Sequence, residues 1–134
     1  MVMTSVTEVE HAIRSGWSPE TCDPVDLADW SPANPARGQC GVTALLLHEL
    51  LGGRLLLATV LHADGTRQGV HYWNRLGRIE LDLTREQFTA GEVVQAPAVV
   101  DPPSGPPVRL RAQYLLLHRR VHDALSLTPA SPPQ

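Results

Sequence analysis

The residue with the most chemistry to offer in this 134-residue chain is a cysteine at the end of a loop rich in Pro and Gly. It stands in Arg37-Gly38-Gln39-Cys40-Gly41-Val42-Thr43, just before a strongly apolar run. If that run is a helix, the thiol sits at its N-terminus, where unpaired backbone N–H groups and the helix dipole favour an anion. Only the thiolate is a good nucleophile. Downstream come His71, in His71-Tyr72-Trp73-Asn74, and Asp82, in Leu81-Asp82-Leu83-Thr84. A thiol, a base and an orienting carboxylate suffice for attack on an acyl carbon through a thioester. Each residue also has a structural reading. Free cysteine is often buried packing, His71 could sit satisfied on a half-buried strand, and Asp82 could cap the next turn.

The spacing makes the three-residue reading geometric. With Gly77-Arg78 as a two-residue hairpin loop, Leu76 pairs with Ile79 and Trp73 opposes Asp82. His71 and Asp82 then share a face as diagonal neighbours, about 7 Å apart between backbones. A one-residue slip would send Asp82 to the other face. A carboxylate on one imidazole nitrogen sets tautomer and orientation. If the buried helix lies across that same face, Cys40 reaches the other nitrogen. The imidazolium would then help lower the thiol from ~8.5 toward the ~3.5–7.5 range of activated cysteines. An oxyanion hole needs the Cys40 backbone N–H and a side-chain amide, for which Gln39 and Asn34 are candidates. Trp73 and Asn74, beside the histidine, are further candidate oxyanion or substrate residues.

Other chemistries find less support. Cys22, Cys40, His62 and His71 lack the paired spacings of a zinc motif. His118 and His122 are four apart and share a face on one predicted helix, but no acidic residue stands between them in a His-Glu-x-x-His arrangement, and the pair reads as a solvated face. No metal or other cofactor is expected. No Gly-rich loop has phosphate-binding spacing, and the absence of lysine excludes a Schiff base.

The elements that must position these residues follow from periodicity and punctuation. Ser5-Val6-Thr7-Glu8 reads as a capping box opening a helix over residues 5–14, which stops at Gly16. Residues 17–38, broken by Pro19, Pro24, Pro32 and Pro35, form a long loop anchored by Trp17 and Trp30. Residues 40–51, apolar on nearly every face and followed by Gly52-Gly53, predict a buried helix under a sheet. Strands are expected over 54–62, 69–76 and 79–83. Thr84-Arg85-Glu86-Gln87 reads as a second capping box, with a brief helix ending near Gly91. A further strand over 92–100, a Pro-rich loop over 101–107 and a last helix over 108–127 complete the domain. That helix carries a stripe of Leu110, Tyr114, Leu117, Val121 and Leu125. The fold class is α+β, in one domain over residues 1–127, with a disordered tail expected over 128–134.

A net charge of −3 offers no electrostatic case for nucleic acid, and 43% apolar residues suit a globular body. Arg109, Arg111, Arg119 and Arg120 lie close together and read as a helix face. No apolar run approaches the ~20 residues of a membrane span. The first residues lack a basic start followed by an apolar stretch, so no export leader is expected. Two cysteines without such a leader suggest free thiols in a reducing cytoplasm, with a Cys22–Cys40 disulfide as the alternative. Oligomeric state is not legible.

Trp30, Asn34-Pro35-Ala36-Arg37-Gly38-Gln39-Cys40-Gly41-Val42-Thr43, Gly52-Gly53, His71-Tyr72-Trp73-Asn74, Asp82-Leu83-Thr84, Gln87-Phe88 and Gln113-Tyr114 with Leu116 together resemble the YunG-like proteins. This is a small bacterial family with no assigned activity, and the resemblance spans roughly residues 5–125. A more distant similarity is to papain-like and transglutaminase-like folds, which set Gly-Gln-Cys at the start of a buried helix on an antiparallel sheet. That similarity implies a cysteine hydrolase or amidase with Cys40 as nucleophile, His71 as base and Asp82 as orienting group. Gly41 replaces the tryptophan those enzymes carry after the cysteine, and the chain is shorter. Both departures favour a small amide, peptide or isopeptide over a large protein substrate. The alternative is a catalytically inactive binding or regulatory module of the same fold. A third reading is a structural partner domain using the leucine stripe of the last helix.

Overall fold

The computed structural model describes residues 5–127. The expected tail at 128–134 lies outside them. Ser5 opens helix α1 (Val6–Gly16) with the expected capping box: its hydroxyl accepts the Glu8 N–H, and the Glu8 carboxylate reaches back to the Ser5 N–H. The loop after it is irregular but not featureless. It contains two 3₁₀ turns, Pro19–Thr21 and Pro24–Asp29, each begun by a proline whose missing N–H costs nothing there. Helix α2 (Cys40–Leu51) starts at the cysteine and stops at Gly52, whose φ of +74° suits a residue without a Cβ.

Strands β1 (Arg54–Leu61), β2 (Arg67–Leu76) and β3 (Ile79–Leu81) form an antiparallel meander. Leu76 faces Ile79 and Asn74 faces Leu81, which is the register expected from a Gly77-Arg78 turn. Gly77 has φ +62°, as the first position of a type II′ turn requires. The strand expected over 92–100 is two short ones, β4 (Val93–Val94) and β5 (Ala98–Val100), both paired with β1. Pro97 stands in the gap and has no N–H to give a ladder. The brief helix expected from Thr84 is only the 3₁₀ turn Arg85–Gln87, and Thr84 provides no side-chain cap. Helix α3 (Arg111–Leu127) begins three residues later than expected, because Leu110 adopts φ +62° just before it.

Helix α2 is sandwiched. One side meets β2 of the sheet, and the other meets α1 and α3 in a core of Ile13, Leu46, Leu47, Leu117 and Val121. The stripe of α3 is therefore spent: Tyr114, Leu117 and Val121 are buried in the chain's own core. That removes the basis for an interface on that stripe. The four arginines do not share one helix face either, since Arg109 precedes α3. Arg109 pairs bidentately with Asp23, while Arg120 donates to the Gly16 carbonyl and the Ser18 hydroxyl, tying the helix to the 17–38 loop.

The sheet's two faces hold different parts of the story. Asn74 Nδ2 donates to the Ala44 carbonyl of α2 at 2.9 Å, so the even-numbered side chains of β2 face the helix. By alternation His71 and Trp73 project to the opposite face, where Trp73 joins Leu56, Ala58 and Val94 in a second small core. The expectation that α2 crosses the His71–Asp82 face is thus corrected. Hairpin parity puts two side chains on a common face, but it carries no information on which face a helix apolar all round will cover. β3 pairs with β2 only at Asn74–Leu76, and Cys40 meets β2 beyond that point, at the strand's edge.

Candidate active site

His71 is fully buried on β2, and Asp82 follows β3 directly. Nε2 of His71 lies 2.7 Å from Asp82 Oδ2. An ionised carboxylate only accepts, so Nε2 carries the proton and Nδ1 presents its lone pair. That Nδ1 is buried and has no hydrogen-bond partner. Arg85 Nε donates to the same Oδ2 at 2.8 Å and holds the carboxylate in place. The imidazole is clamped between a stacked Trp73 ring, 5.1 Å away, and the edge-on Phe88 ring at 4.8 Å. Trp73 is accordingly a packing partner of the base.

Cys40, half-buried at the start of α2, lines a cleft of about 590 Å³ with Gly41, Tyr72 and Gln87. The Tyr72 backbone N–H and the Gln87 side-chain amide both approach its sulfur with their donor ends. Burial pushes the thiol up to about 11; the Tyr72 N–H opposes that, the Asp26 and Asp82 carboxylates add to it, and Gln87 opposes it. The lowered thiol expected from the sequence is therefore not the resting state. A helix terminus and two donors do not outweigh desolvation and two nearby anions. Nor does a hydrogen bond join Cys40 to His71, whose Nδ1 stays unpaired.

Gln87 was missed. The sequence assigned it to a capping box on Thr84, a role for which its residue type is equally suited. Instead the buried Gln87 accepts the Gly38 N–H on Oε1 at 3.2 Å, while its Nε2 is without a hydrogen-bond partner of good geometry. Its backbone carbonyl accepts Asn34 Nδ2 at 3.0 Å and Arg37 Nη1 at 3.4 Å. Asn34 thus holds Gln87 from behind rather than supplying an amide itself. The signal available in sequence was the pair Gln87-Phe88 in the motif, since both residues meet the site.

The other candidates are spent elsewhere. The amide of Gln39 accepts from Thr21 Oγ1 at 2.8 Å and donates to the Ser18 carbonyl at 3.1 Å, pinning the loop before the cysteine. Asn74 ties strand to helix as described. Both cysteines are free, and Cys22 is buried with its thiol donating to the Asp23 and Arg37 carbonyls. Gly41 has open space: a Cβ there would meet nothing closer than Leu110 Cδ1 at 4.0 Å. Its neighbours in the cleft include Val25, Leu45, Leu57 and Val108, with the Arg109–Asp23 pair among them. Among the described residues, no cluster with metal-binding geometry includes Cys40, His71 or Asp82, and no helix is long and apolar enough to cross a membrane.

A family profile described as YunG protein matches residues 5–126. The chain is also 29% identical over 82 residues to a Bacillus subtilis (strain 168) protein titled "Uncharacterized protein YunG"; the match covers 61% of this chain and 62% of that relative. No solved structure matches the chain.

Proposed function

The chain belongs to the YunG family, and from that premise we propose that it is a cysteine hydrolase or amidase of papain-like type. The observation that carries the reading is the unpaired, lone-pair-bearing Nδ1 of a histidine whose Nε2 is held by Asp82. A buried base without a partner is costly, and the sheet edge that brings Tyr72 to the Cys40 sulfur lies one residue away from it. Cys40 is the nucleophile, His71 the base and Asp82 its orienting group, with Arg85 holding the carboxylate. A thiol neutral at rest calls for deprotonation in step with attack rather than a standing thiolate–imidazolium pair.

The sequence of events balances simply. Nδ1 takes the thiol proton as Sγ bonds to the substrate carbonyl carbon, and the oxyanion is met by Gln87 Nε2 and the Cys40 N–H. Collapse breaks the C–N bond, and the imidazolium gives its proton to the departing amine. Water then attacks the thioester with His71 again as base, releasing the acid and restoring the thiol. A cleft of about 590 Å³ suits a small amide or peptide. Free thiols at both cysteines accord with work in a reducing compartment such as the cytoplasm.

A non-catalytic binding module is the second reading, favoured by the raised thiol and the missing Cys40–His71 hydrogen bond. Incubation with p-nitrophenyl acetate and small acyl amides, followed by intact mass spectrometry, separates the two. The hydrolase reading expects an acyl adduct on Cys40 that Cys40→Ala and His71→Ala both lose. Adducts distributed equally over Cys22 and Cys40, or adducts indifferent to His71, sink it in favour of the binding module.

A further inference from the structure

We propose that Glu49, His118 and His122 form a zinc site that staples the end of α2 to α3. The sequence offered only the two histidines, four apart on one helix face. The fold supplies the acidic partner from another element, in the last turns of α2. His118 Nε2 lies 3.0 Å from Glu49 Oε2, and the His118 and His122 rings stack with centroids 4.2 Å apart. One ligand atom from each of the three residues can be chosen so that all lie within 4.8 Å of one another. Tetrahedral zinc, with bonds of about 2.0–2.1 Å, sets its ligand atoms about 3.4 Å apart. The closure needed is on the order of 1 Å, which half-exposed and exposed side chains can make by small rotations.

The donor set selects the ion. Two imidazoles and one carboxylate suit zinc and its neighbours, whereas magnesium and calcium demand oxygen. A fourth position would be left for water. The carboxylate is already oriented, since the Tyr114 hydroxyl donates to Glu49 Oε2 at 3.1 Å, which is the kind of outer contact that fixes a metal's ligand. Glu49 stands nine residues after Cys40, about 13 Å along the helix. The staple therefore holds the far end of the helix whose other end carries the thiol.

The test is calorimetric titration of the tag-free full chain with zinc chloride, alongside thermal melts. One ion per chain is expected, with a rise in melting temperature at saturation. His118→Ala, His122→Ala and Glu49→Gln should each weaken binding by about tenfold or more, and Cys22→Ala/Cys40→Ala should bind as the parent does. With cobalt in place of zinc, d–d bands without a thiolate charge-transfer band are expected. Binding no stronger than that of the His118→Ala/His122→Ala double variant overturns the proposal. So does affinity unchanged in any one of the three single variants, or binding lost only when the cysteines are removed.

Discussion

The surroundings of the two cysteines differ less in burial than in the polarity of what touches the sulfur. Burial pushes both thiols up to about 11, and Asp26 acts on each in the same direction. Cys22, however, faces acceptors, the carbonyls of Asp23 and Arg37, so its proton has somewhere to point and no hydrogen-bond donor among the described residues meets its sulfur, although the Arg37 charge favours the anion. Cys40 faces donors, the Tyr72 N–H and the Gln87 amide, which favour the charged form and oppose desolvation. Gly38 stands between them, close against Cys22 and two residues before Cys40. A raised thiol is thus no mark of inertness. Partner polarity is what separates a packing cysteine from one fit to become an anion.

The sharpest way to test that contrast is to change a donor without changing the fold. Gln87→Glu keeps an acceptor for the Gly38 N–H but removes the Nε2 donor. It should cut turnover of an acyl substrate by about 10²- to 10³-fold, as loss of one oxyanion donor does, while Cys22→Ala leaves kcat within a factor of a few. Equal losses in steady-state kinetics of the two variants would erase the distinction between the pockets.

Gly38→Ala should act on both pockets together. Its φ is +72°, and a Cβ would lie 2.5 Å from Cys22 Sγ and 2.9 Å from Asp26 Cβ. A loss of about 1–3 kcal/mol in urea unfolding is expected. Pairing it with Cys22→Ala should recover part of that loss, because the nearest clash is then removed. No recovery would place the loss in the backbone conformation and the Asp26 and Asp23 contacts rather than at the sulfur.

The smallest effect is one of pH. Both thiols ionise ordinarily at 9.0 and are raised in the fold to about 11. Below pH 9 both folded and unfolded chains hold these protons and the stabilisation is complete. As pH rises from there to about 11 the unfolded chain releases protons that the fold retains, so stability is lost across that window. Melting temperatures between pH 8 and 11 should fall, and removing either cysteine should make the fall shallower. Tyr114, pushed up to about 12 by burial and by Glu49, sustains a slope in the double variant. A Cys22→Ala variant with an unchanged slope would show that its pocket is more open than the fold implies.

Much of this was legible beforehand where one local rule operated. Ser5 and Glu8 announced α1, Gly52-Gly53 ended α2, and a Gly-Arg turn set the hairpin register that joins His71 to Asp82. Legibility failed where one residue type fits two roles. Gln87 satisfies a capping pattern as well as it satisfies a distant N–H, and only the approach of Gly38 decides between them. Gln39 and Asn34 looked like free amides because their partners, Ser18, Thr21 and the Gln87 carbonyl, are far away in sequence. Glu49 could not be joined to His118 from spacing, since sixty-nine residues separate them.

Sequence alone determined α1, α2 and the β2–β3 hairpin with its parity, because those depend on neighbours within a few residues, but not the split of 92–100 into β4 and β5 or the start of α3. Tertiary structure decided which face of the sheet α2 would cover, and so that Cys40 meets β2 at its edge and Gln87 beside it. A helix apolar on all sides has no preferred face of its own. Its orientation is settled by what else needs burial, here α1 and α3 on one side and β2 on the other.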